Sequence, residues 1–334
     1  MRKVGPKLIR SIALTMTALM LLTGCSSEKH STSEIETEEV STVETEEIST
    51  TELEEASTPS DLDKQEYDIE NVTEVSEGKF TCSFADLEHD FIIDFPEEVE
   101  GSPLVIMLHG YGQNAESFRL SCGFEKDACQ AGYTVVYVTG AKSSGDATGA
   151  TGWNSGVGDS DNPDVAFLKA LADYIQEEYK TDKDRVYAVG FSNGAFMTHR
   201  LALEAGDTFS AVVSVSGMMP ESIWETRPDG LSVGVFQVTG EKDDVVPKNS
   251  DGSADTSINP AIEDVIEYYK LANDMTDAGS EDIGKASTLS KYENTDTGKS
   301  LWNLFIKDGR HSWPDEGVTG INMNQLILDY FSQL

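Results

Sequence analysis

An α/β fold, with a mostly parallel, twisted sheet and helices on both faces, is what this 334-residue chain predicts. Three observations carry that expectation. From about residue 79 onward, short apolar runs alternate with helical patterns, the order of repeated β-α-β units. The run Pro103-Leu-Val-Ile-Met-Leu108 is continuously apolar rather than alternating, as a strand covered on both faces must be. A third apolar run, Arg185 to Gly190, leads directly into Gly190-Phe191-Ser192-Asn193-Gly194, a G-x-S-x-G turn set between strand and helix.

Ahead of that pattern the chain does not read as core. Residues 1–24 read as an export signal, with Arg2, Lys3, Lys7 and Arg10 as a basic start and Ile12 to Leu22 as an apolar segment. That segment is short for a membrane span. It ends in Leu22-Thr23-Gly24-Cys25, which resembles the lipobox of bacterial lipoproteins. The resemblance implies that Cys25 becomes the mature N-terminus, carries lipid and anchors the exported chain to the membrane at the cell surface. A plain cleaved signal followed by an incidental cysteine is the alternative.

Residues 25–77 read as a disordered tether. From residue 26 to 77 there are eighteen acidic and two basic residues, many Ser and Thr, and a single aromatic. Such a stretch buries too little apolar area to offset its chain entropy, and its like charges extend it. It either holds a domain away from the membrane or is simply a solubilising leader. Residues 78–334 then suit one large domain. Its 42 acidic and 18 basic residues argue against nucleic acid as a partner, because phosphate binding needs basic patches.

Within the domain, 79–85 and 89–95 read as an opening hairpin. Residues 103–108 form a buried strand, 115–131 a helix and 133–138 the next strand. A Gly- and Ser-rich loop spans 140–162. Asn162 is a good N-cap and Pro163 suits the first helical position of a helix running to 178. The strand 186–189 precedes the turn at Ser192, and the helix 194–204 follows it. Strands at 211–215, 234–238 and 301–306 and helices at 261–272 and 321–331 complete the series. Only about sixteen residues, Gly217 to Ser232, separate the strand after the post-turn helix from the next one, so no large lid is expected there.

Cys82, Cys122 and Cys129 are an odd number, which excludes a fully paired framework and leaves a bridge from Cys82 to either of the others open. On one straight helix, Cys122 and Cys129 would stand about 10 Å apart, out of disulfide reach. No metal-ligand spacing is present, and neither metal nor cofactor is implied. The closely spaced carboxylates of Asp159-Ser-Asp161-Asn162-Pro163-Asp164 lack the full calcium loop and read better as helix capping.

The chemistry-bearing residues fall beyond the carboxyl ends of the strands, where sheets of this type keep their sites. A serine hydroxyl needs a base within hydrogen-bond reach and a group that orients that base. Ser192 sits on the sharp turn, where side chains in place of Gly190 and Gly194 would crowd the backbone. Among the domain's histidines, His311 follows the last strand and is the candidate base. His89 reads as a surface residue, His199 as packing or capping, and His109 as a shaper of its own loop. The acid lies in Gly240-Glu241-Lys242-Asp243-Asp244, with Asp243 preferred and Asp244 open. The order Ser192, Asp243, His311 is that of α/β-hydrolases. For a tetrahedral oxyanion, donors are expected at the backbone N–H of Asn193 and of Tyr111, with Gly112 as second choice to Tyr111.

With those residues in hand, a family resemblance is visible. His109-Gly110-Tyr111-Gly112-Gln113-Asn114-Ala115, Gly152-Trp153-Asn154, Gly190-Phe191-Ser192-Asn193-Gly194, Gly240-x-x-Asp243-x-x-Val246-Pro247 and Gly309-x-His311-x-Trp313-Pro314 together resemble the polyhydroxybutyrate depolymerase-like and feruloyl or acetylxylan esterase group. The resemblance covers roughly residues 80–334. It implies an α/β-hydrolase fold, a cofactor-free carboxylic ester hydrolase, and a triad acid at Asp243. Ala195 stands where many relatives carry a further glycine. An open cleft suits acyl esters borne on a polymer, feruloyl or acetyl esters of plant cell-wall polysaccharide first and short-chain polyester or polyhydroxybutyrate second. Trp153 and Trp313 are candidates to flank the cleft and stack on a feruloyl ring or sugar, and equally candidates for wall residues. A non-catalytic glycan-binding lipoprotein and a peptidase on the same fold are the remaining alternatives.

Overall fold

The computed structural model describes residues 68–142, 148–158, 160–246 and 260–334. The export signal, Cys25 and most of the tether lie outside the described residues, as do Asp159 and Pro247.

The domain is built on an eleven-stranded sheet. Its strands are β1 (Glu70–Ser76), β2 (Lys79–Phe84), β3 (Leu87–Asp94), β4 (Leu104–Leu108), β5 (Thr134–Val138), β6 (Val186–Phe191), β7 (Ala211–Val215), β8 (Gly234–Gly240), β9 (Thr276–Ile283), β10 (Ser287–Asn294) and β11 (Lys299–Ile306). They lie in the order β1-β2-β3-β5-β4-β6-β7-β8-β11-β10-β9. The central six, β5 to β11 in that order, are parallel, and antiparallel strands flank them on both sides. The expected mostly parallel centre is therefore present.

The helices are α1 (Ala115–Cys122), α2 (Phe124–Gln130), α3 (Asp164–Tyr179), α4 (Asn193–Glu204), α5 (Glu221–Glu225), α6 (Ile262–Ala272), α7 (Glu316–Thr319) and α8 (Met323–Phe331). Strand β4 shows why its sequence is apolar throughout. Leu104, Ile106 and Leu108 enter one core with Leu168 and Leu171 of α3, Met197 and Leu201 of α4 and Val265 of α6. Val105 and Met107 enter the other with Phe118 of α1, Phe124 of α2 and Ile327 and Phe331 of α8. Both faces are covered, so no position in the strand is left for a polar side chain.

Four expectations change. Residues 70–76, which composition assigns to the tether, pair antiparallel with β2 as an edge strand. Its side chains are mostly exposed, which is why it reads as polar linker. The predicted helix 115–131 breaks into α1 and α2 at Gly123, whose φ of 58° is the left-handed geometry that ends a helix. That break puts Cys122 and Cys129 on separate helices, and Cys82, Cys122 and Cys129 are all free thiols. Helix α3 begins at Asp164, with Pro163 at its N-cap and Asn162 outside it. The Asn162 amide nitrogen instead donates to Lys142 O at 3.2 Å, and the Phe167 N–H takes the Pro163 carbonyl. The fourth change is the hairpin β9–β10, which the apolar pattern did not announce. Strand β9, Thr276–Ile283, is exposed almost throughout.

Between β7 and β8 the connection holds only the five-residue α5, in keeping with the absence of room for a large lid in that segment.

Candidate active site

The site grows from the end of β6. Ser192 has φ 54° and ψ −118°, a conformation that non-glycine residues rarely adopt and that stores strain where it occurs. The turn is held by its surroundings. The Ser192 N–H donates to Val215 O on β7 at 3.0 Å, and its carbonyl starts the helix by accepting from Phe196. A Cβ at Gly190 would overlap the Gly194 carbonyl, and a Cβ at Gly194 would overlap the Leu108 carbonyl of β4. Both glycines are thus required by close backbone approach.

His311 closes on this turn from the loop after β11. Its Nδ1 lies 2.9 Å from Asp243 Oδ2 and its Nε2 lies 2.9 Å from Ser192 Oγ. An ionised carboxylate only accepts, so Nδ1 carries the proton and Nε2 is left to accept from the serine hydroxyl. Asp243 comes from the loop after β8. Its Oδ1 accepts from the N–H groups of Val245 and Val246 at 3.0 and 2.8 Å, and its side chain is only 2% exposed. Asp244, the alternative, is exposed. The local loop therefore turns one carboxylate inward, by giving it two backbone donors, and its neighbour outward. The loops that carry Asp243 and His311 are also joined directly. Lys242 N–H donates to Gly309 O at 2.7 Å and Glu241 N–H to Ile306 O at 2.9 Å.

The loop after β4 lies against the serine. A Cβ at Gly110 would stand 3.3 Å from Ser192 Cβ. Gln113 N–H donates to Gly110 O at 3.1 Å, and Gly112 has φ 74°. That is the positive φ a type II turn needs at its third residue, which makes the glycine obligatory and puts Tyr111 at the exposed corner. The Gly112 N–H donates to Thr151 O at 2.8 Å, so it is occupied and is not the oxyanion donor in this conformation. The Asn193 amide is the first of α4, where amides have no partner inside the helix and face the positive end of its dipole.

The other histidines are structural. His109 accepts from Gly140 N–H at Nε2, 3.0 Å away, and its Nδ1 is 2.7 Å from Gly110 O. It shapes the loop as expected. His199 is fully buried between Tyr269 and Gln237, also as expected. His89 was expected at the surface and is buried instead, stacked on Phe167 with ring centroids 3.7 Å apart. Strand β3 lies inside the sheet, not at its edge, so His89 is covered from α3. Burial pushes all three imidazoles down to about 4, so they are neutral at pH 7.

The two tryptophans differ in exposure. Trp153 is 1% exposed. Its Nε1 donates to His109 O at 2.9 Å, and its backbone N–H donates to Asn193 Oδ1 at 2.7 Å. It is a splint between the loop after β4 and the start of α4, and no substrate ring can reach its face. Trp313 is half-buried, with its Nε1 donating to Asn324 Oδ1 at 3.1 Å and its ring edge-on to Phe118. It stands two residues from His311 with part of its surface accessible. The reason in both cases is an indole N–H that finds an internal acceptor, which draws the ring inward.

Two contributors went unread in the sequence. The Asn193 side chain, besides accepting from Trp153, donates to Ser155 Oγ at 3.0 Å, so it locks the 152–155 loop to the turn. Phe191 packs beside the His311 ring, centroids 5.2 Å apart. Only their adjacency to Ser192 hinted at either.

Comparison with known proteins places these features in company. Residues 91–286 match the family model described as esterase PHB depolymerase. A protein named as an esterase, NocK from Nocardia uniformis subsp. tsuyamanensis, is 30% identical over 241 residues, covering 66% of this chain and 67% of that protein. The bifunctional acetylxylan esterase/xylanase XynS20E of Neocallimastix patriciarum is 28% identical over 145 residues, 43% of this chain and 20% of that much longer protein. Among solved structures, the acetyl xylan esterase from Aspergillus awamori overlays with a TM-score of 0.54 at 13% identity, over 74% of this chain and 94% of that one. At that identity the likeness is one of fold, and it is the α/β-hydrolase fold.

Proposed function

Since the chain belongs to the esterase PHB depolymerase family and is a carboxylic ester hydrolase, we propose that Ser192, His311 and Asp243 carry its reaction. The single observation behind this reading is the unbroken pair of 2.9 Å contacts from Asp243 through His311 to Ser192. Ser192 Oγ attacks the ester carbonyl while His311 Nε2 takes its proton. The amides of Asn193 and Tyr111 stabilise the oxyanion of the tetrahedral intermediate. His311 then protonates the leaving alcohol. A water activated by the same imidazole releases the acid and restores the serine, and Asp243 stabilises the imidazolium throughout.

The substrate we favour is an acyl ester carried on plant cell-wall polysaccharide, acetyl or feruloyl. Supporting it are the short connection between β7 and β8, the exported and tethered reading of the residues ahead of β1, and a relative named for both acetylxylan esterase and xylanase. Short-chain polyester, polyhydroxybutyrate included, is the second reading, favoured by the matched family's description. Incubating the full chain with acetylated xylan, methyl ferulate and polyhydroxybutyrate, and measuring released acid, separates them. Release from the polyester alone overturns the polysaccharide reading.

We also propose that the protein is displayed at the cell surface through lipid on Cys25. In cells, Cys25→Ala is expected to move the protein from the membrane fraction to the soluble fraction. Retention of the variant in the membrane would leave an uncleaved signal as the anchor.

A further inference from the structure

Tyr111 is 55% exposed, the most exposed aromatic side chain among the described residues. Its backbone sits in the turn against Ser192, yet nothing in the reaction above uses its ring. The ring is held rather than loose. One side of it lies beside Gly152, where its Cδ2 stands 3.2 Å from the position a Cβ would take, and Asn193 Oδ1 stands 3.2 Å from the same position. Its hydroxyl lies 3.3 Å from Thr148 Oγ1. Glycine at 152 is what admits the ring so close to the first residue of α4. An exposed aromatic held at both ends loses little entropy when a second flat group stacks on it.

The reaction fixes which part of an ester comes near it. The leaving oxygen must lie within reach of His311 Nε2, so the acyl group extends away from that imidazole. The Tyr111 ring is fastened to the 148–152 segment. Trp153, the sequence's first candidate for this role, is sealed inside the protein.

We propose that the Tyr111 ring is the platform for a planar aromatic acyl group, and so the residue that sets the preference for hydroxycinnamoyl over acetyl esters. This rests on the reading of Ser192 and His311 as nucleophile and base. A conjugated phenylpropenoyl group is flat from carbonyl to ring and stacks along its length. An acetyl group has no such surface and gains nothing from the tyrosine.

The test compares methyl ferulate with ethyl acetate, neither of which contains a sugar, using the full chain in detergent. The wild type is expected to hydrolyse both. Tyr111→Ala is expected to lower the ratio of kcat/KM for methyl ferulate to that for ethyl acetate by about tenfold, equivalent to about 1.4 kcal/mol, and to do so mainly through KM. Tyr111→Phe keeps the stacking face and is expected to keep the ratio within about twofold. An unchanged ratio in Tyr111→Ala, with or without a loss common to both esters, overturns the proposal, because a disturbed turn would harm both substrates alike. So does a wild type that cleaves ethyl acetate and not methyl ferulate. Failure of the underlying reading looks different. The wild type would then cleave neither ester, or Ser192→Ala would equal wild type on both, and the platform falls with it.

Discussion

Ser192 shows how one residue's backbone and side chain answer to different neighbours. Its positive φ is imposed by the close packing of Gly190, Gly194 and the end of β4, while its hydroxyl is set by His311. Removing the hydroxyl leaves the packing intact. Ser192→Ala is therefore expected to fold normally by circular dichroism and to lose about four orders of magnitude or more in kcat on ethyl acetate. Asp243 and Asp244 provide the sharper comparison. Asp243→Asn breaks the preference for the Nδ1-protonated imidazole and is expected to cost on the order of 10³- to 10⁴-fold in kcat. Asp244→Asn, at an exposed carboxylate, is expected to change it less than about twofold. Equal losses from the two variants would remove Asp243 from its assigned place. The sequence preferred Asp243 and left Asp244 open. The two donors at Val245 and Val246 that turn Asp243 inward belong to the folded loop.

At the level of elements, the buried histidines act as pins. His109 joins the loop after β4 to Gly140, and His199 joins α4 to Gln237 of β8 and Tyr269 of α6. His89 joins β3 to α3. Each has a folded pKa of about 4 against 6.5 for the unstructured residue. Between those values the unfolded chain binds more protons than the native one, so stability falls as pH drops from 6.5 toward 4. Each histidine contributes at most about 3 kcal/mol to that loss. Urea midpoints measured at pH 7 and pH 4.5 should show a clear decrease at the lower pH. A midpoint unchanged between them would mean that the three imidazoles ionise freely in the native protein. Which elements could be read ahead of time follows the same logic of burial. The central strands are covered on both faces and announce themselves as apolar runs. Strand β9 has no buried face to advertise, and so Thr276–Ile283 reads as linker.

For the whole molecule, the boundary of the domain is the clearest instance of structure overriding composition. Residues 70–76 share the acidic, Ser- and Thr-rich character of the tether, yet they pair with β2 at the sheet's edge. Because the strand is largely exposed, its contribution is hydrogen bonding and modest side-chain cover, on the order of 1–2 kcal/mol. A protein beginning at residue 68 is expected to melt several degrees above one beginning at residue 78, with the same kcat for both. Equal melting temperatures would return residues 70–76 to the tether. The proposed active site is assembled in the opposite way, from the buried centre of the sheet. Three loops, from β6, β8 and β11, meet because parallel neighbours present their carboxyl ends on one edge of the sheet.

The sequence by itself determined the α/β architecture, the serine on its strained turn and the chain order Ser192, Asp243, His311, because those depend on local apolar runs and on glycines at close approaches. Only the tertiary structure showed how Asp243, already preferred over Asp244, is turned toward the imidazole, that Trp153 is a splint, that Tyr111 stands open beside the serine, and that the edge strands β1 and β9 exist. Each of those depends on which groups distant in the chain offer a hydrogen bond or cover a face, and partners of that kind leave no periodic trace in the residues themselves.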